Sequence, residues 1–449
     1  MAFTALSPFT LPLIVACSAL GVLFTAWLVR LPRLAIGFLF FSLLSGQLLR
    51  LPLPGQGGGL LPSDLAVVII LIIVVIQSLF SRSAYPSLPG QPVQKNNHWA
   101  APSSETLLWL IVPFIAWSLF TLLLQMPRLG VSNTTLALAY WLRLSANLLL
   151  IPALIYLLGR STLHRFVGRS ISFTALLLVV IGLAQLVFFP DLSLLAQAGW
   201  DPHQWRLVST WLDPNFIGLF LVLVLPLIFL WPNKGWRLSG IVLIIVALVA
   251  TQSRSAQVAA GAAAVLLSPL LLYQQLVKPS RHHLVTISAV LGLAITITAV
   301  IVFILGPRLS GLLTIDPTVE LRLASLISGW QIVQDHPFTG VGYNAYQFAS
   351  GEASATTNYS IHSRAGADNS LLTIWATTGL LGVAIFLLPW TYLLRCFITR
   401  SLLCHDPRAL AGLYILIALF IHSQFINSWL YSHLLITVAI IISLLVPRP

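Results

Sequence analysis

Charge is scarce in this chain. Only 8% of its 449 residues are Asp, Glu, Lys or Arg, against about 25% in soluble domains. At the same time 58% are hydrophobic. A soluble monomer has nowhere to hide so much apolar surface, so a water-soluble enzyme is excluded, as is a disordered chain. Three cysteines cannot build a disulfide framework. The glycine run Gly55–Gly59 lacks the lysine and the following helix of a phosphate loop. Nor do the histidines suggest a metal site: His282 and His283 are adjacent, and His422 and His433 are too far apart to pair on a helix. No Asp-rich motif points to Mg²⁺, so metal-independent chemistry without a cofactor is expected. No internal repeat is visible, which counts against an inverted-repeat transporter.

What fills the chain instead is long apolar runs. A hydrocarbon core of about 30 Å needs roughly 20 apolar residues in a helix. Thirteen segments qualify as candidates, near 11–29, 34–49, 62–80, 106–124, 136–158, 171–189, 211–231, 237–252, 256–275, 284–305, 371–394, 409–427 and 430–446. The expected fold is therefore all-α: a polytopic transmembrane helix bundle of about 12–13 spans, forming a single integral membrane domain over residues 1–449. Residues 306–370 form one connection far longer than usual. Within it, Val319, Leu323, Leu326, Ile327, Trp330 and Val333 recur at helical spacing, predicting an amphipathic helix stopped by Asp335-His336-Pro337.

Alternate loops divide the basic residues unevenly. One side carries 15 of the 23 Lys and Arg, and the positive-inside rule makes that side cytoplasmic. The N-terminus then lies outside, the C-terminus inside, and the long loop faces outward in a cytoplasmic membrane. Arg206, Arg254, Arg322 and Arg364 break this rule on the outer side, so an anionic ligand is a reason for them. Arginine suits phosphate because its planar fork donates paired, charge-assisted bonds.

Four segments hold the polar chemistry. Arg206 leads into Asp213-Pro214-Asn215, an N-cap and helix start that also favours anions. Thr251-Gln252-Ser253-Arg254-Ser255 is a polar turn between two apolar helices. Arg322 lies at the border of the loop helix's apolar face, and Gly340-Val341-Gly342 reads as a tight turn. Finally Asp368-Asn369-Ser370 opens another helix, with Asp368 or His362 available as a general base. Arg143 lies inside the fifth segment, where it pairs with Asp64 or Asp213 or lines the phosphate site.

Together these segments resemble the superfamily of O-antigen ligases and polysaccharide polymerases, bacterial membrane glycosyltransferases. The carriers are Arg206 through Pro214-Asn215-Phe216-Ile217-Gly218; Ser253-Arg254; Arg322 through Trp330 to Pro337-Phe338-Thr339-Gly340-Val341-Gly342; and Asp368-Asn369-Ser370-Leu371 through Gly379-Leu380-Leu381-Gly382. The likeness covers about residues 200–390. It implies transfer or polymerisation of a glycan from a polyprenyl-diphosphate (undecaprenyl-type) donor onto a glycan, lipid or protein acceptor hydroxyl. Transfer would occur at the outer leaflet, with inversion and without a metal, in cell-surface polysaccharide or lipopolysaccharide biosynthesis. It implies diphosphate-binding roles for Arg206, Arg254 and Arg322; Arg143 is a further candidate from its place in the fifth segment, and the basic charge, read as membrane orientation, calls for no nucleic-acid partner. Where the family carries a histidine this chain has Asp368. Either that carboxylate is the base, or His362 six residues upstream replaces it, or the chain has lost this activity or uses an acceptor needing less activation. The alternative from another class is a flippase or transporter for polyprenyl-linked glycans.

Overall fold

The computed structural model describes residues 32–52, 59–81, 102–159, 162–198, 200–277, 317–353 and 366–446. Among them the regular structure is helical, apart from a two-residue antiparallel ladder of β1 (Leu51–Pro52) with β2 (Gly59–Leu60) and an isolated bridge between Asp191 and Gln204. The membrane helices are α1 (Pro32–Ser45), α2 (Pro62–Ser81), α3 (Ser104–Leu124), α4 (Met126–Gly159), α5 (His164–Phe188), α6 (Pro214–Phe229), α7 (Lys234–Thr251) and α8 (Arg254–Val277). After α9 (Pro317–Asp335) and α10 (Tyr346–Ala353) of the long loop come α11 (Ser370–Cys404), α12 (Pro407–His422) and α13 (Ser432–Leu445). Eleven of the expected spans coincide with α1–α8 and α11–α13; those at 11–29 and 284–305 lie outside the described residues. Among the described residues six helices are long and apolar enough to cross a membrane unaided. The protein is an integral, polytopic membrane helix bundle.

Two short helices are the most enclosed. Every residue of α13 is buried, and so is nearly all of α6. A helix that is apolar all round belongs inside a protein rather than at its edge. Accordingly α13 packs on α4 and α6, while α6 also meets α7, α8 and α12. Between helices in lipid, close van der Waals contact replaces the hydrophobic drive, which favours small residues at the seams. The buried stripe Ala256, Ala259, Ala260, Ala263 and Ala264 on α8 meets α12, itself lined by Ala411 and Ala418.

The two ends of the bundle are chemically distinct. At one end Gln274 donates to Ser401 O (2.7 Å), His164 Nε2 bonds Leu444 O (2.9 Å), and Arg400 pairs with Asp406. At the other, α6, α8 and α11 all begin. The long helices α4 and α11 each bend at a glycine in the left-handed region, Gly130 (φ 71°) and Gly379 (φ 72°).

Among its described residues the loop contains a second short helix, α10, after the expected α9. Burial of Tyr346 and Ala345 against the α9–α11 layer explains it. The glycine turn between the two helices does more than reverse the chain. Val341 N donates to Ala376 O (2.9 Å), Gly342 N to Thr377 O (3.0 Å), and Leu380 N to Pro337 O (2.9 Å). The turn is thereby sewn onto the bend in α11. Gly340 (φ 66°) and Gly379 face each other's backbone so closely that a Cβ on either would collide with main-chain atoms of the other segment.

Candidate functional site

The site is assembled at the end where α6, α8 and α11 start. Segment 205–212 is pinned there by its surroundings. Leu207 N donates to Ala250 O (2.9 Å), Thr210 Oγ1 to Leu44 O (2.7 Å), Ser209 Oγ to Leu178 O (2.8 Å) and Trp211 Nε1 to Leu43 O (2.9 Å). These bonds hold three non-glycine residues, Trp205, Ser209 and Leu212, at positive φ. Gln252, just before α8, is a fourth. Such conformations cost of order 1–3 kcal/mol each and persist where the surroundings impose them. Two of the three candidate arginines, Arg206 and Arg254, lie within two residues of these strained positions. Arg206 is half-buried, and its Nε donates to Thr251 O (3.0 Å).

The Pro-Asn-x-x-Gly pattern now has a physical account. Asp213 caps α6 by accepting from Asn215 N (2.7 Å) and Phe216 N (3.2 Å), with Pro214 at the first helical position. Asn215 Oδ1 accepts from Ser253 Oγ (3.0 Å), tying α6 to the start of α8. Gly218 lets the two helices meet: a Cβ there would lie 3.0 Å from Ala256 Cβ and 3.2 Å from Ser253 Cβ. Arg254 is the first residue of α8. Behind it, Ser253 Oγ contacts Ser255 Oγ (3.2 Å), Ser255 Oγ contacts His422 Nε2 (3.1 Å), and His422 Nδ1 contacts Ser428 Oγ (2.6 Å). This buried chain joins the starts of α6 and α8 to the end of α12.

From the loop side, α9 delivers Arg322. One turn later Ser325 is buried, and its Oγ accepts from Asp368 N (3.0 Å). That bond sets the Asp368 carboxyl beside α9. Asn369 caps α11 by accepting from Leu372 N (3.0 Å), while its Nδ2 donates to Gln424 Oε1 (3.2 Å). The helix cap thus falls on Asn369, and the Asp368 carboxyl is not used for capping.

The charges share one field. Burial lowers the proton affinity of Arg206; Asp213 and Asp201 oppose this, whereas Arg322 and Arg254 reinforce it. Burial likewise holds the Asp368 carboxyl above the ordinary carboxylate value, opposed by Arg322 and assisted by Asp201 and Asp213. His203 is kept below its usual value by burial, with Asp213 and Asp201 opposing and Arg206 assisting. Arginine stays protonated at neutral pH regardless. Three guanidiniums therefore converge at an end where three helix N-termini each add about half a positive charge. Such an arrangement suits an anion with several oxygens, and a raised carboxyl beside it is suited to accepting a proton.

Arg143 has different company. Its Nε and Nη2 donate to the two oxygens of Asp64 (2.8 and 2.7 Å), and Nη2 also donates to Gly59 O (2.5 Å). Of the partners expected from sequence, Asp64 is the one found. His362 and Arg364 lie outside the described residues. Among the described residues no group of three or more His, Cys, Asp or Glu is arranged to hold a metal.

Residues 239–387 match the family model described as O-antigen ligase. This stretch is similar to the O-antigen ligase family. No curated protein matches the chain significantly. The matched region contains Arg254, Arg322, Asp368 and the interlocked glycines; Arg206 precedes it and reaches it through Thr251. Sequence reading overlooked Asp201, His203 and Ser325. Their only signal was proximity to the singled-out arginines: Asp201 and His203 lie within five residues of Arg206, and Ser325 one turn beyond Arg322.

Proposed function

We propose that the protein transfers a glycan from a polyprenyl-diphosphate donor to an acceptor hydroxyl at the outer leaflet. The similarity to the O-antigen ligase family supports glycan transfer in polysaccharide biosynthesis. The observation that carries the finer reading is the convergence of Arg206, Arg254 and Arg322 on one field beside a carboxyl of raised proton affinity. In this mechanism the guanidiniums bind the diphosphate. The acceptor oxygen attacks the anomeric carbon from the opposite face and forms the new C–O bond. The bond from that carbon to the diphosphate oxygen breaks, and its electron pair leaves with the polyprenyl diphosphate. Asp368 takes the proton of the acceptor hydroxyl, and the anomeric configuration inverts. Because diphosphate is already a good leaving group, charge stabilisation and positioning suffice without a covalent intermediate. Arg143 is left out of the phosphate set because Asp64 already takes its Nε–H and one Nη2–H.

The test is transfer from a polyprenyl-diphosphate-linked glycan in reconstituted vesicles. Each charge-assisted bond contributes about 1.5–3 kcal/mol, so Arg254→Ala and Arg322→Ala should each lose roughly ten- to a hundredfold in kcat/KM. Full activity in both variants overturns the site. Donor movement across the bilayer without transfer by the wild type selects the flippase instead.

A further inference from the structure

A cavity of about 330 Å³ lies between the loop helices and the α3–α4 junction. Gln125 and Arg128 line it from the junction, Gln331 and Asp335 from the last turn of α9, and Phe348 from α10. Its floor is apolar and buried, made by Ile332, Val341 and Ala345. Its rim is not engaged elsewhere: among the described residues no side-chain hydrogen bond or ion pair occupies Arg128, Gln331 or Asp335. Arg128, Gln331 and Asp335 are exposed, so nothing in the packing requires these residue types.

We infer that this cavity is a subsite for an oligosaccharide, remote from the bond being made. The inference rests on the glycan-transfer reading and adds a place where sugars are held. Sugars present closely spaced hydroxyls, each both donor and acceptor, together with apolar C–H faces. The rim offers both complements: guanidinium and amide donors, and carboxylate and amide acceptors. Phe348 and the floor supply an apolar surface. Separation along the fold agrees. Arg322 and Asp335 lie on one continuous helix, thirteen residues apart, which is about 20 Å at 1.5 Å per residue. A diphosphate held at Arg322 marks one end of the donor glycan; a cavity that far along α9 meets sugars several units away. The glycine turn that sews the end of α9 to α11 fixes this separation, because Val341 belongs both to the turn and to the cavity floor. Contacts to non-reacting parts of a substrate are a recognised source of binding energy for the reacting part.

Donor and acceptor glycans share this chemistry, so the experiment separates them. Transfer is measured in vesicles with donors carrying one sugar or a full oligosaccharide, at fixed acceptor, and then with mono- and oligosaccharide acceptors at fixed donor. Wild type is compared with the double variant Arg128→Ala/Asp335→Ala. The expected result is a wild-type preference for the longer partner that the variant narrows about tenfold in KM, as loss of two polar contacts implies. Narrowing among donors assigns the cavity to the donor, and narrowing among acceptors to the acceptor. Unchanged preference in both series overturns the inference. Binding of the oligosaccharide released from the donor by mild acid, to both proteins in nanodiscs, is independent of transfer. If wild type transfers nothing but binds this oligosaccharide more tightly than the variant, the cavity stands and the transferase reading falls. Absence of that binding overturns the cavity itself.

Discussion

Asp368 separates activity from stability. Its carboxyl is held above the ordinary value by burial, against the pull of Arg322. The folded protein thus binds its proton more tightly than the unfolded chain does. The ionised form accordingly weakens the fold, by nothing below about pH 3.9 and by the full amount once pH exceeds the folded value. Asp368→Asn, which stays neutral, should therefore melt at higher temperature than wild type near pH 7.5. The gain should shrink as pH falls toward 4, as detergent-solubilised melting curves would record. The same variant should lose about 10²–10⁴-fold in transfer if the carboxylate is the base. A merely structural Asp368 would show no such pairing of a firmer fold with a weaker enzyme. A wild-type rate that falls on the acid side above the ordinary carboxylate range would carry the same signature. Retained activity in Asp368→Asn would instead direct attention to His362.

At the scale of elements, the decisive joint is where the Gly340 turn meets the bend at Gly379. Neither glycine can gain a Cβ without striking backbone across the joint, and both hold positive φ. Gly379→Ala should therefore loosen α9, taking Arg322 and Ser325 with it. The expected readout is a large loss of transfer together with faster protease cleavage between residues 317 and 353, while α1–α8 keep their protection. Gly37→Ala is the control. Open space surrounds that helical glycine, and the change should be neutral or stabilise by up to about 1 kcal/mol. Intact loop protection in Gly379→Ala would show that the joint is not what holds α9. Sequence pattern reached part of this. The apolar period of α9 and its stop at Asp335-His336-Pro337 were legible, because a helical face repeats locally. The docking of Val341 and Gly342 on Ala376 and Thr377 was not, because those backbone bonds join segments more than thirty residues apart and leave only two glycines as a trace. The serine–histidine chain through Ser255 and His422 was hidden for the same reason: the two residues lie more than a hundred positions apart.

For the whole molecule, span order was readable from hydropathy, and the long helices need little else to be found. Which end faces the cell exterior rests on charge. Residues expected on one side do meet one another in the fold: Leu44 with Thr210, Ala250 with Leu207, Ser255 with His422, and Ser325 with Asp368. Those expected opposite also gather, as Gln274 with Ser401 and His164 with Leu444. Contacts of this kind establish two ends but carry no label for inside and outside, since no charge imbalance across a membrane is encoded in packing. Cysteine chemistry can supply the label. Cys404, at the end of α11, is exposed, whereas Cys396 is buried. In a Cys17→Ser background, a membrane-impermeant maleimide applied to intact cells should leave Cys404 unmodified and should react with it in inverted vesicles. An added Asp201→Cys, in the exposed loop beside Arg206, should give the reverse. Labelling of Cys404 from outside would turn the bundle over. The arginine cluster would then face the cytoplasm, and an outer-leaflet donor could not reach it.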